Sequence, residues 1–201
     1  MIRKAIVVAV LLALGACGPA PAQKQEKTTA TSQLDLAAAA YAQGNHAEAL
    51  KWWRLAADQG NADAQLNLGV MYGNGKGVPQ DYAEAAKWYR LAADQGDAAA
   101  QNNLGFMYDN GQGVAQDYAQ AAKWYRLAAD QGHAKGQFNL GLMYESGLGV
   151  PQDYVQAHKW FNLSAASGDA GALKDRDAVA AKMTPAQIAE AQRLASAWRK
   201  K

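Results

Sequence analysis

The sequence has little with which to build a catalytic or metal site. It contains one cysteine, Cys17, and three histidines among 201 residues. A disulfide within the chain is therefore excluded, and His46, His133 and His158 lack metal-ligand spacing. The motifs Gly-x-Ser-x-Gly, Ser-x-x-Lys and His-Glu-x-x-His are missing as well. These absences argue against an enzyme, and we expect neither a cofactor nor a metal.

An excess of charge of one sign is also lacking. Lysine and arginine number 20 against 18 acids, and Arg3 and Lys4 lie in a segment that we expect to be removed. The remaining 18 bases balance the 18 acids, which gives no electrostatic footprint for nucleic acid. With half of its residues hydrophobic and 19% charged, the chain is predicted to fold rather than to stay disordered.

The amino-terminal apolar run, from Ala5 to Leu14, is too short for a membrane-spanning helix, which needs about 20 residues. Two bases precede it and small residues follow, so residues 1–16 are predicted to be a secretory signal peptide.

The run leads into Leu-Gly-Ala-Cys, which resembles the lipobox of bacterial lipoproteins. This resemblance implies that Cys17 is acylated, and Gly18 in place of an aspartate implies the outer membrane, facing the periplasm. The alternative is an ordinary cleaved signal followed by a chance cysteine. With the lipidated cysteine, residues 17–33 are predicted to form a flexible tether, since they are rich in Pro, Ala, Gln and Thr.

Near-identical segments recur 36 residues apart in the rest of the chain. YAEAAKWYRLAADQG begins at Tyr82, and YAQAAKWYRLAADQG begins at Tyr118. Three blocks follow one another, 60–95, 96–131 and 132–167, and the first two agree at 28 of 36 positions. In each block, apolar residues at helical spacing flank a glycine-rich turn, which predicts a pair of helices.

The second helix of each block carries its own start signal. Asp81, Asp117 and Asp153 are each followed three residues later by Glu or Gln. This spacing predicts an aspartate N-cap, with the Glu or Gln side chain bonding back to the cap's amide. Near the end of the chain, Thr184 and Gln187 have the same spacing around Pro185, which predicts a further helix.

The segment AQLNLGVMYGNGKGVPQDYAEAAKWYRLAADQGDAAAQNNLG resembles the Sel-one-like repeat, a relative of the tetratricopeptide repeat. The resemblance covers residues 60–167, with a shortened leading repeat at 34–59 and capping helices at 168–201. It implies an all-α fold, a right-handed α-solenoid of stacked antiparallel helix pairs, and a monomeric chain.

Stacking explains the repetition, because a single helix pair cannot bury its own apolar face. Trp88, Trp124 and Trp160 occupy one repeat position and are predicted to be buried, although a ligand cage is the alternative. Gly69, Gly105 and Gly141 lie inside helices and are expected to allow close helix contact.

Differences between near-identical copies indicate a candidate binding surface. Four of the eight changes between the first two blocks lie in the first helix, within about 80° of one another on a helical wheel. Three asparagines lie beside this stripe and could donate to and accept from a peptide backbone. In tetratricopeptide-like stacks the first helices line the concave face, so the resemblance implies a partner-binding groove. Its residues are Asp63, Leu66, Asn67, Val70, Ala99, Asn102, Asn103, Phe106, Asp109, Lys135, Phe138, Asn139, Leu142 and Glu145.

An alternative to the groove stays open: the stripe could be a tolerant surface or a contact between repeats, and the row of asparagines could merely tie helices together. At the level of function, the resemblance implies a lipid-anchored scaffold that binds a protein or peptide in the bacterial cell envelope. The alternative is an envelope hydrolase, or a peptidoglycan- or glycan-binding protein, whose site is not visible as a motif.

Overall fold

The computed structural model describes residues 30–199, and the backbone of this part forms ten α-helices without a strand. The predicted signal peptide, Cys17 and most of the predicted tether lie outside the described residues. The helices are α1 (Ala30–Ala42), α2 (His46–Asp58), α3 (Ala62–Asn74), α4 (Tyr82–Asp94), α5 (Ala98–Asn110), α6 (Tyr118–Asp130), α7 (Ala134–Ser146), α8 (Tyr154–Ala166), α9 (Ala170–Ala180) and α10 (Pro185–Ala197).

The first eight helices form four pairs, and each pair packs on the next through its second helix. The result is the predicted α-solenoid. Helix α1 begins at Ala30, so residues 30–33, which were assigned to the tether, are helical. Within the described part, no helix is both long and apolar enough to cross a bilayer.

The aspartate caps of the second helices are confirmed. The Asp81 carboxylate accepts a hydrogen bond from the Glu84 amide at 3.0 Å, and Asp117 and Asp153 do the same in their repeats. The bond back from Glu84 was wrongly predicted, because the Asp81 amide donates to the Tyr72 carbonyl instead. The cap therefore ties the two helices of a pair together as well as starting the second one.

Close packing within the three later pairs, α3–α4, α5–α6 and α7–α8, depends on a glycine. A Cβ atom added at Gly69 would lie 2.5 Å from the Tyr89 ring, and one at Gly105 would lie 2.7 Å from the Tyr125 ring. Gly141 faces Phe161 in the same way. The expectation of close helix contact is confirmed, and the contact joins the two helices of one repeat.

Contacts between repeats are made by an arginine that lies over aromatic rings of the next pair. The Arg90 guanidinium donates to the Tyr108 hydroxyl and lies 5.4 Å from the centre of the Trp124 ring. Trp124 and Trp160 are buried, as predicted, at 6% and 1% exposed. Trp88 packs against the leading repeat and is only half-buried, which corrects its predicted burial.

The last two helices close the stack. Helix α10 begins with the predicted capping box, in which Thr184 and Gln187 bond each other's backbone amides. Its residues Ala191 and Ala195 are buried, and both α9 and α10 pack against α8.

Candidate partner-binding groove

The predicted stripe lies on the first helices of the repeats, α3, α5 and α7. Phe106 and Leu142 occupy the same repeat position and are 48% and 37% exposed, and Asp63 and Lys135 are exposed as well. Asn102 is the buried member, at 7% exposed. The half-buried members are Leu66, Asn67, Val70, Ala99, Asn103, Asp109, Phe138, Asn139 and Glu145.

The asparagine row is engaged within the protein. Asn67 Nδ2 donates to the Asp63 carbonyl on its own helix at 2.8 Å. Asn139 Nδ2 donates to Asn102 Oδ1 at 2.9 Å, a bond that joins α7 to α5. The bonded amides correspond to the alternative reading, in which the row ties the chain together, and they leave fewer donors for a peptide than expected.

Phe138 belongs to the core as much as to the stripe. Its ring centre lies 5.6 Å from that of Phe161, a fully buried residue of α8. Because Phe161 also packs on Gly141, Phe138 supports the α7–α8 pair. The exposed apolar contacts of the stripe are therefore Phe106 and Leu142.

Two clefts open along the stripe. The larger one, of about 480 Å³, lies between α1 and α3, and the smaller one, of about 150 Å³, lies beside Phe106 and Asn103. The larger cleft is lined by Leu34, Asp35, Ala38, Tyr41, Ala42, Trp53, Asp63, Asn67 and Val70.

The larger cleft was missed because the leading repeat is out of the 36-residue register. Its two helices are joined by residues 43–45, whereas those of the next repeat are joined by 75–81. The turn is four residues shorter, so Asn67 corresponds to Asp35, 32 positions earlier, and not to Thr31. Counting the glycine-rich turn as missing would have placed Asp35 and Ala38 on the stripe.

Burial shifts the pKa values of two side chains at the stripe, Tyr89 and Asp109. It raises the pKa of the Tyr89 hydroxyl to about 12, and a hydrogen bond with Asn103 opposes part of this rise. Burial also raises the pKa of the Asp109 carboxyl, to which the Tyr125 hydroxyl donates at 3.4 Å. The Tyr89 hydroxyl is therefore a neutral hydrogen-bonding group at physiological pH.

The acidic residues along the stripe differ in whether a basic residue lies beside them. Glu145 forms an ion pair with Lys182 of the carboxy-terminal segment at 2.9 Å. At the other end, Asp35 and Asp63 lie together at the larger cleft, whose lining residues include no base. The leading end of the stripe is thus acidic.

The histidines have structural positions. The His133 side chain caps α7 by accepting a hydrogen bond from the Gly136 amide at 3.1 Å, the place that Asn61 and Asp97 fill in earlier repeats. His158 is 3% exposed in α8. In the part of the chain that the structure describes, no three His, Cys, Asp or Glu residues come together as a metal site.

The glycine-rich turns are used for packing between repeats. Gly113 has a φ of +68°, and a Cβ there would overlap the Tyr82 carbonyl group of the preceding repeat. A Cβ at Gly149 would overlap the Tyr118 carbonyl in the same way. These turns therefore lie directly on the backbone at the start of a neighbouring helix.

Comparison with known proteins identifies the repeats. A family model described as Sel1 repeat matches four consecutive segments, 30–61, 62–97, 98–133 and 134–169. No protein with a curated description matches the chain.

The solved structures that are similar to this one include the following two. The first is c5321, a protective antigen present in uropathogenic Escherichia coli strains and displaying an SLR fold, with 36% identity and a TM-score of 0.74. The second is a Sel1 repeat protein from Oxalobacter formigenes, with 35% identity and a TM-score of 0.67. The matches cover 85% and 70% of this chain, but only 38% and 58% of those proteins.

Proposed function

The chain belongs to the Sel1 repeat family, and from this premise we propose that it is a lipid-anchored scaffold. It binds a protein or peptide partner of the bacterial cell envelope along the first helices of its repeats. It acts by binding and not by catalysis, as a monomer held at the outer membrane through Cys17 and facing the periplasm.

The observation that carries the binding surface is the exposure of Phe106 and Leu142. These side chains recur at one repeat position, on neighbouring first helices, while the leucines of the repeat core are fully buried. The clefts beside Phe106 and Asp63 add concave surface to this row. An apolar row with flanking clefts suits an extended chain, whose side chains enter successive depressions.

Site-specific photocrosslinking in cells tests the surface. A photoreactive phenylalanine analogue at position 106 or 142 should give a discrete crosslinked product. The matched control is position 91, because Leu91 is also 48% exposed but lies on a second helix. A product formed from position 91 and from neither of the others would move the binding surface to the second helices of the repeats.

A pull-down of the partner with variants of this chain provides an independent test. Phe106→Ala with Leu142→Ala should lose the partner while leaving helicity and melting nearly unchanged, because both side chains are exposed. Phe138 is unsuitable for this purpose, since its removal would disturb the contact with Phe161. Full partner capture by the double variant would contradict the proposal.

The anchor is tested separately from the groove. Cys17→Ser should abolish lipid attachment, so mass spectrometry should find no acyl chain and the protein should leave the membrane fraction. A membrane-bound, lipid-bearing product from this variant would overturn the assignment. Binding or turnover of peptidoglycan fragments by the purified chain would instead favour the alternative function.

A further inference from the structure

The larger cleft has an aromatic floor. Tyr41 and Trp53 pack together with ring centres 5.3 Å apart, and Trp53 is 5% exposed. Leu34, Ala38 and Val70 complete the apolar lining, while Asp35 and Asp63 add two exposed carboxylates. At about 480 Å³, the cleft falls within the range of volumes of known ligand pockets.

The two carboxylates are uncompensated. Among residues 32–199, the four ion pairs and the side-chain hydrogen bonds involve neither the Asp35 nor the Asp63 carboxylate. Glu145, farther along the stripe, is by contrast paired with Lys182. Two unpaired acids over aromatic rings favour a cation whose apolar part can lie on the rings.

The leading repeat differs from later repeats in the residues that make this cleft. Ala38 lies where later repeats carry Val70, Phe106 and Leu142, so a small side chain leaves the space open. Asp35 lies where later repeats carry Asn67, Asn103 and Asn139, so an acid replaces a neutral amide. The chemistry is therefore particular to this end of the stripe.

We propose that this cleft binds an arginine side chain of the partner, an inference that rests on the binding role proposed above. The aliphatic stem packs on Tyr41 and Trp53, and the guanidinium donates to Asp35 and Asp63. The partner is thus basic where it contacts the leading repeat. The apolar side chains of the partner that follow this arginine contact the stripe near Phe106.

A pair of peptides tests the cleft without knowledge of the partner. Acetyl-Gly-Leu-Arg-Leu-Gly-amide and its citrulline counterpart, which lacks the charge but keeps the shape, are titrated into the isotope-labelled full chain at low salt. The arginine peptide should shift the Trp53 indole and Asn67 amide resonances, and the citrulline peptide should bind at least tenfold more weakly. Equal binding of the two peptides, or no binding, would overturn the proposal.

Substitutions test whether the carboxylates of Asp35 and Asp63 bind the arginine. Asp35→Asn and Asp63→Ala install the residues found one repeat later, Asn67 and Ala99, and each should weaken the arginine peptide about tenfold. Asp94→Asn removes an equal charge from an exposed site on α4 and should leave affinity unchanged. Equal weakening by all three variants would mean unspecific charge attraction and would reject the cleft.

The native partner separates this inference from the proposed function. If crosslinking from position 106 persists but capture is insensitive to Asp35→Asn with Asp63→Ala, the scaffold role stands and the arginine site is wrong. If a Lys24→Gln, Lys27→Gln variant binds the arginine peptide more tightly, these lysines compete with the peptide for the cleft. The cleft would then be occupied by the chain's own lysines and not by a partner's arginine, which would also overturn the proposal.

Discussion

Hydrogen bonds between glutamines, one rung in each repeat, join the end of the second helix to the first helix of the same repeat, and the rung of the last repeat is missing. Gln95 Nε2 donates to Gln65 Oε1 at 2.7 Å, and Gln131 Nε2 donates to Gln101 Oε1 at 2.9 Å. The next acceptor is Gln137, which is 1% exposed. Residue 167, where the donor belongs, is a serine, and Gln137 Oε1 has no partner among the described residues.

Replacing Ser167 by glutamine should complete the rung and stabilise the fold. The backbone is already suitable, since Ser167 has φ −89° and ψ 8°, close to the −83° and 0° of Gln131. A buried acceptor without a partner costs about 1 to 3 kcal/mol. Ordering the new side chain costs up to about 2 kcal/mol. With about 2 kcal/mol recovered and about 1 kcal/mol lost as middle values, we expect a net gain of about 1 kcal/mol.

Denaturant unfolding followed by circular dichroism measures this gain. Ser167→Ala should be nearly neutral, because it supplies no donor. In a Gln137→Met background the acceptor is absent, and the effect of Ser167→Gln should disappear. A gain of the same size in both backgrounds, or no gain in either, would refute the reasoning.

Three further predictions concern stability. Trp124→Ala should lower the free energy of unfolding, measured by denaturant titration, by about 3 to 5 kcal/mol. Trp88→Ala should lower it by less, because Trp88 is only half-buried, and equal losses would contradict this ranking. Gly105→Ala should lower the melting temperature because its Cβ would lie 2.7 Å from the Tyr125 ring, whereas Gly73→Ala, with its nearest contact at 3.8 Å, should be tolerated. Burial lowers the pKa of both His133 and His158 below the ordinary 6.5, so the unfolded chain binds more protons and stability should fall as the pH drops below about 6.5. His133→Asn, which restores the cap used at Asn61, should reduce that fall between pH 7.5 and 5.5, and an unchanged pH dependence would exclude His133 as a contributor.

The histidine effect has a geometric basis as well. The His133 ring accepts the Gly136 amide through Nδ1, and protonation removes that acceptor at the positive end of a helix. Lys135 also lowers the pKa of His133, while Asp97 opposes it. The pKa of His158 is likewise lowered by burial and by Arg176, while Asp177 opposes this. His158 therefore also makes the protein less stable as the pH falls.

Much of the fold could be predicted because its signals are local or periodic. An aspartate cap acts on the amide three residues later, and a glycine at 36-residue spacing marks the same contact in each copy. The residues of the stripe also lie on first helices, α3, α5 and α7. Whether a partner occupies it remains a prediction, and the structure adds which of its members are exposed.

The sequence by itself determined the repeat, the helix pairs and their caps, because these depend on hydrogen bonds and apolar spacing within a few turns. Only the tertiary structure decided which side chains of the repeat are engaged elsewhere. Asn139 meets Asn102 across two helices, and Gln137 Oε1 lacks a partner among the described residues because the residue 30 positions later is a serine. The acidic cleft likewise depends on the turn shortened by four residues, because this turn sets the register of α1 and so places Asp35 at the same cleft as Asp63. Such contacts join residues about 30 positions apart, and their pairing follows from how the helices stack.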